Sequence, residues 1–391
     1  MGRVTRLALA AVVCALLVVA CGAGDSPSQD GAPGQDISLA WAGPLTGPSA
    51  EYGLQSSKAA ELAVREINEN GGIDGRDLVL ETYDDRCEPT DAANVAARIA
   101  SDSSVVGVVG HVCSSATLAA LPIYERAGLT VVSGSSTSPR ITEDGGYPNF
   151  SRTVPNDAQQ GIDAALLAGE LLGAKRLAVL YASDDYGQGV LENFLATVPD
   201  TGAEVVAQET YTPTQTRDFS AQLTAIKSAD ADALLLIGYY DDLGTAVTQL
   251  TAAGLEDVTI ICSAGLAQAP FAELASVEIP GSYMLGYYDS ARDTPENRAF
   301  ADAFTQAYDD APTLDAVYAY EAVFVYAQAL EDGATAENMS EMVRAVTLDV
   351  ATGRIEFDDS GNNSAARGVI QTIEDGAFVL HEEYTNQLAD A

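Results

Sequence analysis

Lysine is nearly missing from this 391-residue chain: Lys58, Lys175 and Lys227 are the only three. With 57 acidic against 19 basic residues, the net charge is −38. A surface field of that sign repels a phosphate backbone, which excludes nucleic acid as a partner. Histidine is almost as scarce, with only His111 and His381. A serine hydrolase needs a base beside its nucleophile, and no G-x-S-x-G elbow is present either. His111 and Cys113 read as H-x-C, but no second well-spaced pair completes a metal site. No G-x-x-x-x-G-K occurs, and the GQG of YGQGVL lacks the third glycine of a dinucleotide fingerprint. The chain is therefore expected to be no enzyme and to carry no cofactor or metal.

What is present begins with a separate segment. Arg3 and Arg6 precede ALAAVVCALLVVA, and VVAC sets small or apolar residues before Cys21. This predicts a lipoprotein signal peptide over 1–20, removed with thioether lipidation of Cys21. The apolar stretch of about 14 residues is short of the roughly 20 that a membrane span needs. Residues 21–36 are rich in Gly, Pro, Ser, Asp and Gln, which predicts a flexible tether. The expected location is extracytoplasmic, on the cell membrane through the lipid.

Five cysteines then divide by fate. Cys14 leaves with the signal and Cys21 takes the lipid, so Cys87, Cys113 and Cys262 enter an oxidising compartment. Cys87 follows YDDR after one strand-like run, and Cys113 follows SVVGVVGHV, the next. Neighbouring parallel strands would bring those two ends together, so a Cys87–Cys113 disulfide is expected, leaving Cys262 as a buried free thiol.

From Ile37 onward strand and helix patterns alternate. ISLAWAG, RDLVLETYDD, SVVGVVG and LTVVSGS read as strands separated by helices, and KRLAVLYA, AEVVAQETY, ADALLLIGYY and VTIICSA repeat the pattern. Apolar runs without alternation mean strands covered on both faces, as in parallel sheets. The predicted fold class is α/β with two Rossmann-like lobes and parallel sheets. The expected division is 37–155 with 287–358 for lobe 1, and 156–286 with 359–391 for lobe 2.

In open parallel sheets ligands sit outside the carboxyl ends of the strands. The segments there, among them HVCSSAT, SGSSTSP, ASDDYGQG and GYYDDLG, share small residues, hydroxyls and tyrosines. HVCSSAT admits three readings: a nucleophile on a strand-to-helix turn, a thiol metal ligand, and a helix start offering hydroxyls and N–H groups to an anion. The missing bases and ligands leave the third. Ser114, Ser136 and Thr137 then make a carboxylate cradle built without a positive side chain, and His111 reads as a satisfied core or edge histidine.

The ordered set INENGGIDGRDL, YDDRCEPTDAANVA, VVGHVCSSAT, SSTSPRIT, SDDYGQG and LLLIGYYDDLG resembles one family. It is that of the branched-chain amino acid binding proteins of ABC importers, with the type I periplasmic-binding-protein fold. The resemblance covers nearly all of the chain from residue 37. It implies two lobes joined by a three-crossing hinge, a small ligand enclosed between them, an ABC permease as partner and a monomeric protein. It implies a carboxylate-binding role for Ser114, the backbone at Ser136 and the hydroxyl of Thr137, with Tyr52, Tyr186 and Tyr239 as lining tyrosines. Where leucine-type binders usually carry a glutamate for the ligand ammonium, this chain has Ala264. Another carboxylate must then serve, with Asp184, Asp185, Asp241 and Asp242 as candidates, or the ligand is an amine-free analogue such as an aromatic carboxylate or a small amide. A lipid-anchored sensor of such ligands is the alternative to an importer component.

Overall fold

The structure, a computed structural model, describes residues 36–143 and 146–390. The predicted signal peptide, Cys21 and nearly all of the predicted tether lie outside them. The first sheet is built from β1 (Ile37–Gly43), β2 (Leu78–Asp84), β3 (Val105–Gly110), β4 (Val131–Ser133) and β5 (Phe150–Arg152). Its order is β2-β1-β3-β4-β5, and every pairing is parallel. Helices α1 (Ala50–Glu69), α2 (Pro89–Ala100) and α3 (Ser114–Ala127) connect successive strands. Every residue of β1 is buried, as a central strand covered on both faces requires.

The second sheet takes β6 (Arg176–Ala182), β7 (Glu204–Tyr211), β8 (Ala233–Ile237), β9 (Thr259–Cys262) and β10 (Tyr283–Gly286). Helices α4 (Asp157–Leu166), α5 (Asp185–Thr197), α6 (Ser220–Ser228), α7 (Tyr240–Val247) and α8 (Ala269–Glu278) alternate with them. After β10 the chain leaves this sheet through α9 (Pro295–Tyr308), α10 (Leu314–Glu331) and α11 (Met339–Ala345) to a hairpin of β11 (Thr347–Val350) and β12 (Gly353–Glu356). It then returns as β13 (Val369–Glu374) and β14 (Ala377–Leu380), ending in α12 (Glu382–Asp390). The order is β14-β13-β10-β9-β8-β6-β7, with β13 and β14 antiparallel to their neighbours. The chain thus passes between the sheets three times, after β5, after β10 and after β12.

Helix α10 is apolar nearly all round, as LDAVYAYEAVFVYAQALE reads, and it is buried between α1 and the first sheet. Its Tyr326 hydroxyl donates to Thr130 O at 2.7 Å and accepts from Val108 N at 3.1 Å. Gly107 is required for this docking, since a Cβ there would sit 2.4 Å from the Tyr326 ring. Hairpin residue Thr352 is tied to the same helix, giving its N–H and hydroxyl to the buried Glu321 carboxylate, both at 2.9 Å.

Cys87 and Cys113 form a disulfide, with Cα atoms 5.4 Å apart, and Cys262 is buried and free. The strands that precede the pair are not neighbours, however, because β1 lies between β2 and β3. The turn at Arg86 and Cys87, both at positive φ, carries the chain back over the end of β1. Closing a loop of about 27 residues removes roughly 3–4 kcal/mol of unfolded-state freedom. Beneath it, Asp85 accepts the Cys87 N–H at 2.9 Å and meets His111 Nδ1 at 2.5 Å, while His111 Nε2 meets the Tyr124 hydroxyl at 3.0 Å. Both ring nitrogens of His111 are used inside the core.

Burial lifts several carboxyls: Asp157 and Glu321 are pushed up to about 8, and Asp163 to about 6. Unfolded carboxyls titrate near 4, so between about pH 4 and 8 the native chain holds protons that the unfolded chain has released. Their contribution to stability is complete below the unfolded pKa and is lost as pH rises through about 8. The thermal midpoint is therefore expected to rise when pH is lowered from 8 to 6. Scanning calorimetry that finds it unchanged or lower at pH 6 would contradict this.

Candidate functional site

The carboxyl edges of the two sheets border one cavity of about 550 Å³ of empty space, mouth included. From the first sheet come the β3–α3 turn with Cys113 and Ser114, and the loop after β4 with Ser135 and Thr137. From the second come Tyr186, Tyr239, Ala264 and Gly265. Tyr52, Gln160, Tyr287 and Asp315 close it from α1, α4, the segment after β10 and the start of α10. Of the residues singled out in the sequence, Tyr52, Ser114, Thr137, Tyr186, Tyr239 and Ala264 are brought together here.

Ser136 is not on this wall. Its N–H donates to Ser133 Oγ at 2.9 Å, its carbonyl accepts from Arg152 Nη1 at 2.9 Å, and its hydroxyl lies against Thr117 Oγ1 and His111 O. With backbone and side chain spent inside the fold, it leaves its neighbour Ser135 to face the cavity. Ser114 is the first residue of α3, with Cys113 in the capping position. Its Oγ accepts from the Ser138 N–H at 3.2 Å, an arrangement that leaves the hydroxyl proton for another acceptor. The first-turn N–H groups of α3 lie at the same spot, so this end of the cavity favours an anion.

No basic side chain lines the cradle, but a positive charge lies behind it. Arg152, fully buried on β5, donates to the carbonyls of Ser136 and Ser138 at 2.9 and 3.1 Å and to Thr142 Oγ1 at 2.9 Å. Burial lowers its pKa only to about 10, so the guanidinium stays charged and pins the loop that carries Thr137. The neighbouring Asp157 donates its N–H to Thr137 O at 2.9 Å.

The three tyrosines act as rings rather than as free hydroxyls. Tyr52 donates to Gly265 O at 2.6 Å and accepts from Tyr240 N at 3.1 Å, a bond pair across the cleft. Tyr186 reaches Gln160 Oε1 at 3.1 Å and accepts from Gly265 N at 3.1 Å, and Tyr239 donates to Asp184 Oδ2 at 2.5 Å. Burial drives all three phenols upward, so they remain neutral. Ring centroids of Tyr52 and Tyr186 lie 6.2 and 5.6 Å from that of Tyr239, making one aromatic wall.

None of the four aspartates weighed as amine partners lines the cavity. Asp184 caps α5 through the Gly187 N–H, Asp185 pairs with Arg140, and Asp242 pairs with Arg217 at 2.9 Å. Asp241 lies in the first turn of α7. The carboxylate that does line it, Asp315, escaped the sequence reading, as did Gln160, Ser135 and Tyr287. An acid in the first turn of an apolar helix is too common to mark a site. Tyr287 follows the four-residue strand β10, too short to be read from periodicity.

The family model for periplasmic binding proteins matches residues 36–377. The leucine-, isoleucine-, valine-, threonine- and alanine-binding protein of Pseudomonas aeruginosa is 35% identical over 329 residues, 83% of this chain and 87% of that one. Among solved structures, the branched-chain amino acid transporter substrate binding protein LivJ of Streptococcus pneumoniae, in complex with isoleucine, superposes with a TM-score of 0.81. It is 27% identical, over 88% of this chain and 99% of that one. The leucine binding protein LivK of Thermotoga maritima gives 0.82 at 26% identity, over 88% and 97%. A match over nearly the whole described chain, on two sheets that face each other across one cavity, means that this chain belongs to the periplasmic binding protein family.

Proposed function

We propose that this protein is the extracytoplasmic solute-binding component of an ABC importer, and that it captures a branched-chain or related α-amino acid between its two lobes. The observation that carries the reading is the polarity of the cavity. A helix start with hydroxyls, backed by a buried guanidinium, forms one part of the wall, neutral aromatic rings form a second, and the Asp315 carboxylate, which accepts from Ser135 two residues before Thr137, forms a third beside the first. A carboxylate, an apolar side chain and an ammonium match those three regions in turn. The names of the relatives, which bind leucine, isoleucine and valine, support the same class.

In this reading lobe 1 is 37–155 with 287–358, and lobe 2 is 156–286 with 359–391. Ser114 and Thr137 donate to the ligand carboxylate, and Tyr52, Tyr186 and Tyr239 enclose its apolar body. Bonds that span the cleft, such as Tyr52 to Gly265, hold the lobes together around it. The protein works as a monomer and delivers to a permease, held near it by a lipid on Cys21. Among the described residues no helix is long and apolar enough to cross a membrane.

Two measurements test this. Titration calorimetry with leucine, isoleucine and valine should find binding, and Ser114→Ala or Thr137→Ala should each weaken it by about 1–3 kcal/mol while the protein still folds. Unchanged affinity in both variants would remove the carboxylate subsite. Cys21→Ser expressed in cells should release the protein from membranes into the soluble fraction. Undiminished membrane association would remove the lipid anchor.

A further inference from the structure

Asp315 is buried, at 3% exposure, and among the described residues is the only aspartate or glutamate on the cavity wall. No lysine, arginine or histidine lies among the lining residues, and no described ion pair includes Asp315. Its Oδ1 accepts the Ser135 hydroxyl at 2.7 Å and its Oδ2 accepts Gln268 Nε2 at 2.8 Å. Two such donors satisfy only part of a carboxylate's acceptor capacity. The Gln268 carbonyl oxygen beside it is buried and has no partner. This corner of the site therefore holds more acceptors than donors. At position 264 the opposite wall supplies only a methyl group.

A buried carboxylate without a cation is costly, and burial raises its pKa to about 6. A cationic donor delivered into the cavity removes that cost. The α3 side of the same cavity is rich in donors, and Ser135, which donates to Asp315, is two residues before Thr137, so subsites of opposite electrostatic sense adjoin. An α-amino acid presents an anion and a cation on adjacent atoms, and one orientation satisfies both.

We propose that Asp315 receives the ligand's ammonium group, and that it is the residue by which this protein selects amino acids over carboxylates that lack an amine. This rests on the reading of the cavity as an amino-acid site. It also gives Asp315 a second task. Gln268 lies beyond β9 in the second lobe, so its bond to Asp315 spans the cleft, and the residue that meets the amine also holds the opposite lobe. The expectation that Ala264 turns the site toward amine-free ligands thereby loses its premise, since a carboxylate reaches the cavity from α10 instead.

The test uses the full folded chain and two ligand pairs: leucine with 4-methylpentanoate, and valine with 3-methylbutanoate, each acid being the amino acid without its amine. The unmodified protein should bind the amino acid of each pair at least a hundredfold more tightly. Asp315→Asn, which keeps the shape and removes the charge, should weaken the amino acids tenfold or more. It should leave the amine-free acids within about twofold or tighten them. Ala264→Glu placed on the Asp315→Asn background should restore part of the lost preference.

Equal weakening of both members of a pair would mean that Asp315 serves only shape, and would overturn the inference, as would unchanged amino-acid affinity in Asp315→Asn. An unmodified protein that binds the amine-free acids as well as the amino acids would overturn it without any variant, while leaving a carboxylate-binding component in place. An unmodified protein that binds none of the four would instead overturn the proposed function, and this inference with it.

Discussion

Parallel strands all finish on the same edge of their sheet, and the helices that follow them all begin there. Unpaired backbone donors, tight turns and short polar loops consequently collect along one line. Here two such edges face each other, and both are burdened with groups that need partners. The arrangement meets that need with side chains from the last residue of β5 and the first turn of α1. Arg152 binds the carbonyls of the loop after β4, and the Tyr52 hydroxyl takes the Tyr240 N–H while giving its proton to Gly265 O. What these leave unsatisfied, the Ser114 hydroxyl and the Asp315 carboxylate among them, defines the site.

The scarcity of basic residues has a second consequence inside the protein. A chain with 57 carboxylates and 19 cationic side chains has few cations to place beside its buried acids. Asp157 and Glu321 sit in the core with pKa values raised to about 8 by burial, hydrogen-bonded to amide and hydroxyl donors and in no ion pair among the described residues. The buried Arg152 is the exception, and it lies behind the donor-rich end of the cavity. Charge is thus sorted within the fold: a guanidinium behind the loop that carries Thr137, and a carboxylate without an ion-pair partner on the cavity wall beside it. A zwitterion completes that distribution.

The strand and helix alternation was legible because apolar runs such as ALLLI and VVGVVG, and the helix stops between them, are local signals. The seven residues singled out for the site follow strand ends or open helices, and the cavity brings six of them together. Strand order was not legible: the Cys87–Cys113 pair was anticipated from neighbouring strands, yet β1 separates them and a turn at positive φ brings the cysteines together. Ser136 and Ser135 differ by one position, and only the bonds made by the loop decide which one faces inward. Asp315 and Gln268 meet across the cleft from segments 47 positions apart, a contact made by the way α10 packs back on the first sheet. No periodicity encodes such a meeting.

A crystal structure of the protein with leucine bound tests the central claim most directly. The ligand carboxylate is predicted within hydrogen-bond distance of Ser114 Oγ and the Thr137 hydroxyl, the side chain against Tyr52, Tyr186 and Tyr239, and the ammonium within about 3 Å of an Asp315 oxygen. A ligand seated in the reverse orientation, or outside the cleft between the two sheets, would contradict the account.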